Sequence, residues 1–219
     1  TELPFNSDDY SVGHPTLTND GKTLYFASDM PGGFGDLDLY KVEVKGDGEY
    51  GDPVNLGPEI NTPGEESFPF IHQSGTLYFA SDAREGLGGL DIYSSTYKNG
   101  IWSTPENMGY PINTNFDDFG LIMNEEQDGG YLSSNRNGDF VNDDIYLLTE
   151  ERIDSSTVYL VENGDTIGKT TTNPNGEFGF WVALENIYNL QASKPTYNPN
   201  ELKFSTAGLT GEVPLLKIP

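Results

Sequence analysis

The sequence predicts an all-β fold, and three observations support that prediction. Of the 219 residues, 12% are aromatic and 26 are glycine, a composition that suits short strands joined by tight turns. No segment keeps the apolar period of a helix. One phrase of the sequence also recurs at a spacing of 53 residues, at Tyr25, Tyr78 and Tyr131. A fixed period of this length indicates a structure built from repeated units.

Three motifs recur in the same order and define the repeat. The first is Thr-Leu-Tyr-Phe-Ala-Ser-Asp at 23–29 and 76–82, with a weaker third copy at 130–136. The second is Asp-Leu/Ile-Tyr, whose repeated residues are Asp38 and Tyr40, Asp91 and Tyr93, and Asp144 and Tyr146. The third is Asn-Leu/Met-Gly followed by Ile-Asn-Thr, at 55–62 and 107–114.

Each repeat is predicted to form four short antiparallel strands. In the second copy these strands are Ser67–Ile71, Thr76–Ser81, Leu90–Thr96 and Ile101–Met108. Four-stranded units of this length are typical of the blades of a β-propeller. Closed propellers have roughly four to eight blades, and three repeats are visible, so residues 1–150 are interpreted as the C-terminal part of a propeller with further blades upstream. Leu3–Ser7 resembles the exit of a preceding blade; self-assembly of the chain into a ring is the alternative.

A change in composition predicts a second domain. The net charge is −24, of which residues 1–154 carry −22 and residues 155–219 carry −2. The break falls at the polar connector 150–154, and the repeat ends there. Residues 155–219 are predicted to form a small β-sandwich. Its expected strands are Thr157–Glu162, Thr166–Thr172, Glu177–Val182, Tyr188–Ser193 and Glu212–Ile218.

Composition also excludes several classes of function. The absence of cysteine excludes disulfides, iron–sulfur clusters, cysteine-ligated zinc and a thiol nucleophile. A net charge of −24 argues against a nucleic-acid partner, because binding phosphates requires clustered Lys and Arg. No apolar run approaches the roughly 20 residues of a membrane helix, so we expect no direct membrane insertion by this chain.

The repeated aspartates Asp38, Asp91 and Asp144 have two possible roles. A residue present in every blade usually stabilises the blade, for instance by accepting hydrogen bonds from turn amides, and we favour this structural role. Alternatively, Asp36 with Asp38, or Asp143 with Asp144, could hold a calcium ion together with loop carbonyls. We therefore expect no cofactor, with calcium as the open alternative.

No residue is predicted to be catalytic. The acidic pairs Asp8-Asp9, Glu65-Glu66 and Asp117-Asp118 stand just before the first strand of each blade, which indicates a shared structural position rather than one active site. His14 and His72 lie beside first strands, and no Gly-x-Ser-x-Gly elbow accompanies them, so we expect each to pack or hydrogen-bond locally.

The repeat phrase Asp20–Asp29, followed by a Gly-rich loop and Asp38-Leu39-Tyr40, resembles the PD40 (WD40-like) repeats of TolB-type propellers. The Gly86–Tyr93 variant is similar to the form found in multidomain OmpA-family proteins. Residues 157–193 resemble a carboxypeptidase-regulatory-like domain, which is non-catalytic in its family. The combination is similar to the periplasmic OmpA-family component of the type IX secretion and gliding machinery.

That resemblance implies a non-enzymatic scaffold for protein interactions in the periplasm, associated with the outer membrane. Its partners would be outer-membrane or periplasmic proteins, and peptidoglycan would be reached only through a domain not present in this sequence. Two alternatives stay open. One is a propeller enzyme that processes glycans or peptides; the other is a cell-surface binding module.

Overall fold

The fold is all-β, as the sequence predicts: the computed structural model contains antiparallel sheets and no helix among the residues it describes. Those residues are 2–138, 142–149, 155–174, 176–180, 182–183, 186–194 and 200–206. The chain divides into two compact units, Thr1–Glu150 and Glu151–Pro219. The predicted strand Glu212–Ile218, the connector 150–154 and Trp181 lie outside the described residues.

The first sheet contains the first copy of the repeat. Its strands are β1 (Val12–Leu17), β2 (Thr23–Ser28), β3 (Asp38–Gly46), β4 (Glu49–Tyr50) and β5 (Val54–Asn55). Strands β1, β2 and β3 form an antiparallel meander, and the short β4 and β5 both pair with β3. Asp20 shapes the turn between β1 and β2, because its carboxylate accepts hydrogen bonds from Thr18 Oγ1 and the Lys22 amide.

The second sheet repeats the arrangement of the first. Its strands are β6 (Glu66–Ile71), β7 (Thr76–Ser81), β8 (Asp91–Lys98), β9 (Ile101–Trp102) and β10 (Glu106–Asn107). The prediction of a single strand over Ile101–Met108 was wrong, because this segment contains two short strands, β9 and β10, which both pair with β8. Pro105 stands between them, and its lack of an N–H group breaks the ladder there.

The third sheet contains β11 (Asp118–Met123), β12 (Gly129–Ser134) and β13 (Asp144–Thr149), in that order. Register relates the three sheets residue by residue. Val12, Glu66 and Asp118 pair with the equivalent serines Ser28, Ser81 and Ser134. Asp38, Asp91 and Asp144 pair with those same serines from the other side.

The three sheets pack face to face in chain order, as the successive blades of a partial propeller do. Tyr25 and Leu39 of the first sheet share one buried cluster with Leu77 and Phe79 of the second. Tyr78 and Ile92, on the opposite face of the second sheet, share another cluster with Leu121 and Leu132 of the third. The first strands β1, β6 and β11 contact one another in turn, so they form the inner edge of the stack.

The second unit contains one four-stranded antiparallel sheet in the order β15-β14-β16-β17. Its strands are β14 (Thr157–Glu162), β15 (Asp165–Thr171), β16 (Ile187–Ser193) and β17 (Asn200–Ser205). The expected strand Glu177–Val182 was wrong, because residues 177–180 are not in a strand. Phe178, Phe180 and Val182 nevertheless pack on the buried Leu160 and Tyr188 of this sheet, which supplies a second layer without a ladder.

Candidate functional site

The repeated aspartates of the first two sheets hold the Gly-rich loop that precedes them. Asp38 accepts hydrogen bonds from the amides of Phe34 at 2.6 Å and Gly35 at 3.1 Å. Asp91 accepts the equivalent bonds from Leu87 at 2.6 Å and Gly88 at 3.1 Å. Both carboxylates are 1% exposed. Each therefore closes its own loop from inside the protein, in the manner expected of a structural residue.

Two asparagines hold β5 and the turn after it against the start of β3. In the first sheet, Asn61 accepts a hydrogen bond from the Leu39 amide at 2.8 Å and donates to the Leu39 carbonyl at 3.0 Å. Asn61 also donates to Asn55 Oδ1, and Asn55 Nδ2 donates to the Asp38 carboxylate at 2.7 Å. We call this pair of side chains the asparagine clamp.

The second sheet builds the same clamp from Asn107 and Asn113. Asn113 accepts from the Ile92 amide and donates to the Ile92 carbonyl, both at 2.8 Å, and it donates to Asn107 Oδ1 at 2.8 Å. Asn107 Nδ2 and Asp91 Oδ1 are buried without a hydrogen-bond partner. The clamp is therefore conserved in geometry between the two copies, except for that one contact.

The third copy of the aspartate has different surroundings. Asp144 is exposed, and it accepts a hydrogen bond from Asn137 Nδ2 at 2.7 Å. The next residue, Ile145, is 77% exposed, whereas its counterparts Leu39 and Ile92 are 0% and 1% exposed. Within the described residues, β13 is an edge strand and no asparagine clamp covers it. In the described part of the chain, the third sheet thus leaves open an edge that the clamp covers in the other two, and it exposes the residue that packs against the next sheet there.

The tyrosines of the Asp-x-Tyr motif support the same loops. Tyr93 donates a hydrogen bond from its hydroxyl to the Glu85 carbonyl at 2.9 Å, and Tyr40 reaches the Met30 carbonyl at 3.5 Å. Burial raises the pKa of both phenols, so neither is poised to act as a base near neutral pH. Tyr146 lies under the guanidinium of Arg136, 4.8 Å from the ring centroid.

A second set of carboxylates belongs to the first residues of the inner strands β6 and β11. Glu66 is fully buried and accepts hydrogen bonds from the Thr62 amide, Thr62 Oγ1 and Ser81 Oγ. Asp118 is also fully buried; it accepts from Thr114 and forms an ion pair with Arg136 at 2.6 Å. The equivalent position in β1 is Val12, and Asp8 and Asp9 are exposed and precede it. The expected equivalence of Asp8-Asp9 with the other two pairs was therefore wrong.

Burial raises the pKa of Glu66, while the bonds from Ser81 and Thr62 and the charge of Arg84 oppose that shift. A carboxyl with a raised pKa can serve as a general acid when a substrate reaches it. Glu66, however, is 0% exposed, and its oxygens already accept three hydrogen bonds from Thr62 and Ser81. The arrangement therefore suits a strand anchor.

At Asp38, the hydrogen bonds do not suit the calcium alternative. Asp38 turns its carboxylate to loop amides and Asn55, which are hydrogen-bond donors that a cation would displace. No group of three or more His, Asp or Glu side chains is placed to hold a metal in the part of the chain that the structure describes.

His14 lies on the inner strand β1, His72 directly follows the inner strand β6, and each contacts a neighbouring sheet. His14 stacks on Phe68, with ring centroids 3.9 Å apart, and Phe68 in turn contacts Phe119 at 4.8 Å. Burial lowers the pKa of His14, opposed by the charge of Glu65. His72 is buried and bonds Ser74 Oγ at 2.8 Å and the Asn124 carbonyl at 3.0 Å. Neither histidine has a serine–carboxylate pair with the geometry of a hydrolytic triad.

His14, Phe68 and Gly120 occupy equivalent bulges in the three inner strands, and all have positive φ, at 51°, 49° and 63°. This conformation is costly for a bulky side chain and turns it out of the strand's normal alternation. No sequence pattern predicts the bulge, because the three residues share no side-chain type.

The exposed face of the third sheet carries an apolar row. Ile122, Tyr131 and Leu147 are directly paired across β11, β12 and β13, and all three are half-exposed or more. Sequence reasoning missed this row, and it also missed the asparagine clamp. The Ile-Asn-Thr motif was visible as a repeat, but its hydrogen-bond target lies 22 residues earlier in the chain for Asn61.

No protein-family model matches the chain, and no curated protein matches it. Among the described residues there is no helix with the length and apolar character needed to span a bilayer.

Proposed function

We propose that this chain is a non-enzymatic scaffold, a protein-interaction module of a periplasmic complex associated with the outer membrane. One observation carries the proposal: the recurring buried carboxylates are held by groups of the chain itself. Asp38 and Asp91 each close a loop, and Glu66 and Asp118 each anchor an inner strand. Side chains in these positions build sheets, so they are not available to a substrate.

The location and partners rest on the sequence resemblance to PD40 propellers joined to a carboxypeptidase-regulatory-like domain. The proposed setting is the type IX secretion or gliding machinery, with outer-membrane or periplasmic proteins as partners. The net charge of −24 favours basic surfaces on those partners, and such contacts weaken as salt screens them.

Fractionation of the bacterium that produces the protein tests the setting. An epitope-tagged copy should be released with the periplasm or sediment with the outer membrane, and chemical crosslinking should join it to envelope proteins. The crosslinked yield should fall between about 50 mM and 500 mM salt, because the Debye length shrinks several-fold over that range. Recovery of the tagged protein in the cytosol would contradict the location, and a salt-independent yield would contradict the electrostatic part.

An activity panel separates the scaffold from the enzyme alternative. We expect no turnover of glycans or peptides by the complete protein. Glu66→Gln is the informative variant, because Glu66 is the buried carboxyl with a raised pKa. Turnover that disappears in Glu66→Gln, while circular dichroism shows the variant folded, would replace the scaffold with an enzyme.

A further inference from the structure

We propose that the open edge of β13 binds an extended strand with the sequence pattern Asn-x-Gly-x-x-Ile-Asn, which completes the third sheet as its fourth strand. The proposal deepens the interaction role by naming the chemistry of one partner. Its evidence lies in the first two sheets, where that pattern already occupies the equivalent edge.

The pattern is shared by the two segments that cover β3 and β8. They read Asn55-Leu-Gly-Pro-Glu-Ile-Asn61 and Asn107-Met-Gly-Tyr-Pro-Ile-Asn113. In both, the glycine has a positive φ, 88° for Gly57 and 64° for Gly109, and its carbonyl accepts a 2.8 Å hydrogen bond from the amide of the second asparagine. In both copies this bond closes the turn, and the second asparagine then donates to Oδ1 of the first at 2.8 Å.

Two parts of the pattern make the same contacts on the edge in both copies. The residue between the first asparagine and the glycine, Leu56 or Met108, donates its amide to the carbonyl of Leu39 or Ile92 at 3.0 Å. The second asparagine bonds both the amide and the carbonyl of that same edge residue. The edge residue is buried, in a cluster that it shares with apolar residues of the pattern and of the next sheet.

Ile145 is the edge residue of the third sheet. It pairs with Ser133 as Leu39 pairs with Ala27 and Ile92 with Ala80, so its amide and carbonyl point to the same outer side. Among the residues that the structure describes, no strand lies on that side of β13.

Hydrogen bonding and apolar contact favour the same occupant. Asp144 is exposed at the position where Asp38 accepts the Asn55 amide, so a first asparagine has an acceptor there. Ile145 is 77% exposed and Leu147 is 64% exposed, so the outermost described strand of this sheet carries apolar side chains on its exposed face. Edges of this kind accept added strands through main-chain hydrogen bonds, while side chains supply the selectivity.

A capped synthetic peptide with the sequence of residues 53–62 is the probe, because it contains the full pattern and its edge contacts are known from the first sheet. Binding to the complete chain is measured by anisotropy of a fluorescent label on the peptide. A control peptide replaces both asparagines with alanine. We expect it to bind at least about tenfold more weakly, since each asparagine makes hydrogen bonds to the edge.

Two matched protein variants locate the binding. Ile145→Asp alters an exposed isoleucine on the proposed edge, and Ile101→Asp alters another on the second sheet that is 68% exposed. Only Ile145→Asp should weaken peptide binding, by about tenfold, and neither change should lower the melting temperature appreciably. Amide hydrogen exchange should show slower exchange at Ile145 when the peptide is bound.

Three results would overturn the proposal. The first is no binding at millimolar peptide, and the second is equal binding of the double-alanine peptide. The third is concentration-dependent dimerisation of the chain that Ile145→Asp abolishes, because the occupant would then be a second copy. Cell fractionation and crosslinking do not enter these outcomes, so failure here is distinguishable from failure of the proposed scaffold role.

Discussion

Replacing Asn61 with alanine tests the asparagine clamp as a source of stability. The side chain is 2% exposed and makes three hydrogen bonds: one from the Leu39 amide, one to the Leu39 carbonyl and one to Asn55 Oδ1. After the change, the Leu39 carbonyl still accepts from Leu56, and Asn55 Oδ1 still accepts from Gly57. The Leu39 amide alone loses its bond to a side chain without a replacement.

The expected cost follows from that inventory. An unsatisfied buried amide costs about 1–3 kcal/mol, and each of the two other lost bonds contributes about 0.5–1.5 kcal/mol. We therefore expect Asn61→Ala to lower the free energy of unfolding by about 2–6 kcal/mol. Asn113→Ala should cost a similar amount, because Asn113 makes the same three bonds in the second sheet.

Urea unfolding followed by tryptophan fluorescence measures this effect. A background with Trp181→Phe leaves Trp102 as the sole tryptophan, and Trp102 belongs to the buried cluster between the first two sheets. Asn115→Ala is the matched control, because Asn115 is exposed, and it should change stability by less than about 0.5 kcal/mol. If Asn61→Ala and Asn115→Ala unfold at the same urea concentration, the clamp does not stabilise the fold.

Three further predictions address the other anchors. Gly35→Ala should destabilise by at least about 1–3 kcal/mol in urea unfolding, because its Cβ would overlap the Thr62 and Gly64 carbonyl oxygens of the next connector. Gly13→Ala, whose Cβ meets nothing within 4 Å, should be nearly neutral; equal effects would contradict the close approach. Arg136→Ala should cost about 3–5 kcal/mol because it leaves Asp118 buried without its ion pair, and adding Asp118→Asn should recover part of that loss; no recovery would contradict the charge argument. Burial raises the pKa of Glu66 above 4.5, so the folded chain binds this proton more tightly than the unfolded chain does. The stability from that proton is complete below pH 4.5 and is lost as the pH rises through the folded pKa. Glu66→Gln has no such proton, so the free energy of unfolding of the unmodified chain should fall relative to that of Glu66→Gln over this rise in pH. Parallel pH profiles of the two unfolding free energies would refute the argument.

The architecture was predictable from sequence where periodicity and turn chemistry were enough. The recurrence of Tyr25 and Tyr78 at a fixed spacing located equivalent second strands, and register confirms the equivalence. The Gly-rich loops were visible as turns. The need for glycine at Gly35 and Gly88 could not be predicted. At both positions the loop lies against backbone oxygens of the following connector, which is a contact between separate sheets.

The anchoring side chains were harder to predict because their partners are distant in sequence. Arg136 reaches the carbonyls of Pro111 and Ile112 and the carboxylate of Asp118, and no local pattern announces those targets. The exposure of Asp144 was also invisible from sequence. The motif Asp144-Ile145-Tyr146 matches the other copies, yet among the described residues no strand lies beside it as β5 lies beside β3 and β10 beside β8.

Amide hydrogen exchange at three equivalent residues tests the central claim most directly, namely that three copies of one repeat are held by recurring structural side chains. The amides are those of Leu39, Ile92 and Ile145. We predict that Leu39 and Ile92 are strongly and similarly protected, because each donates to a buried asparagine, and that Ile145 exchanges at least about a hundredfold faster. Rapid exchange at Leu39 or Ile92, or protection of Ile145 equal to theirs in the free chain, would contradict the account.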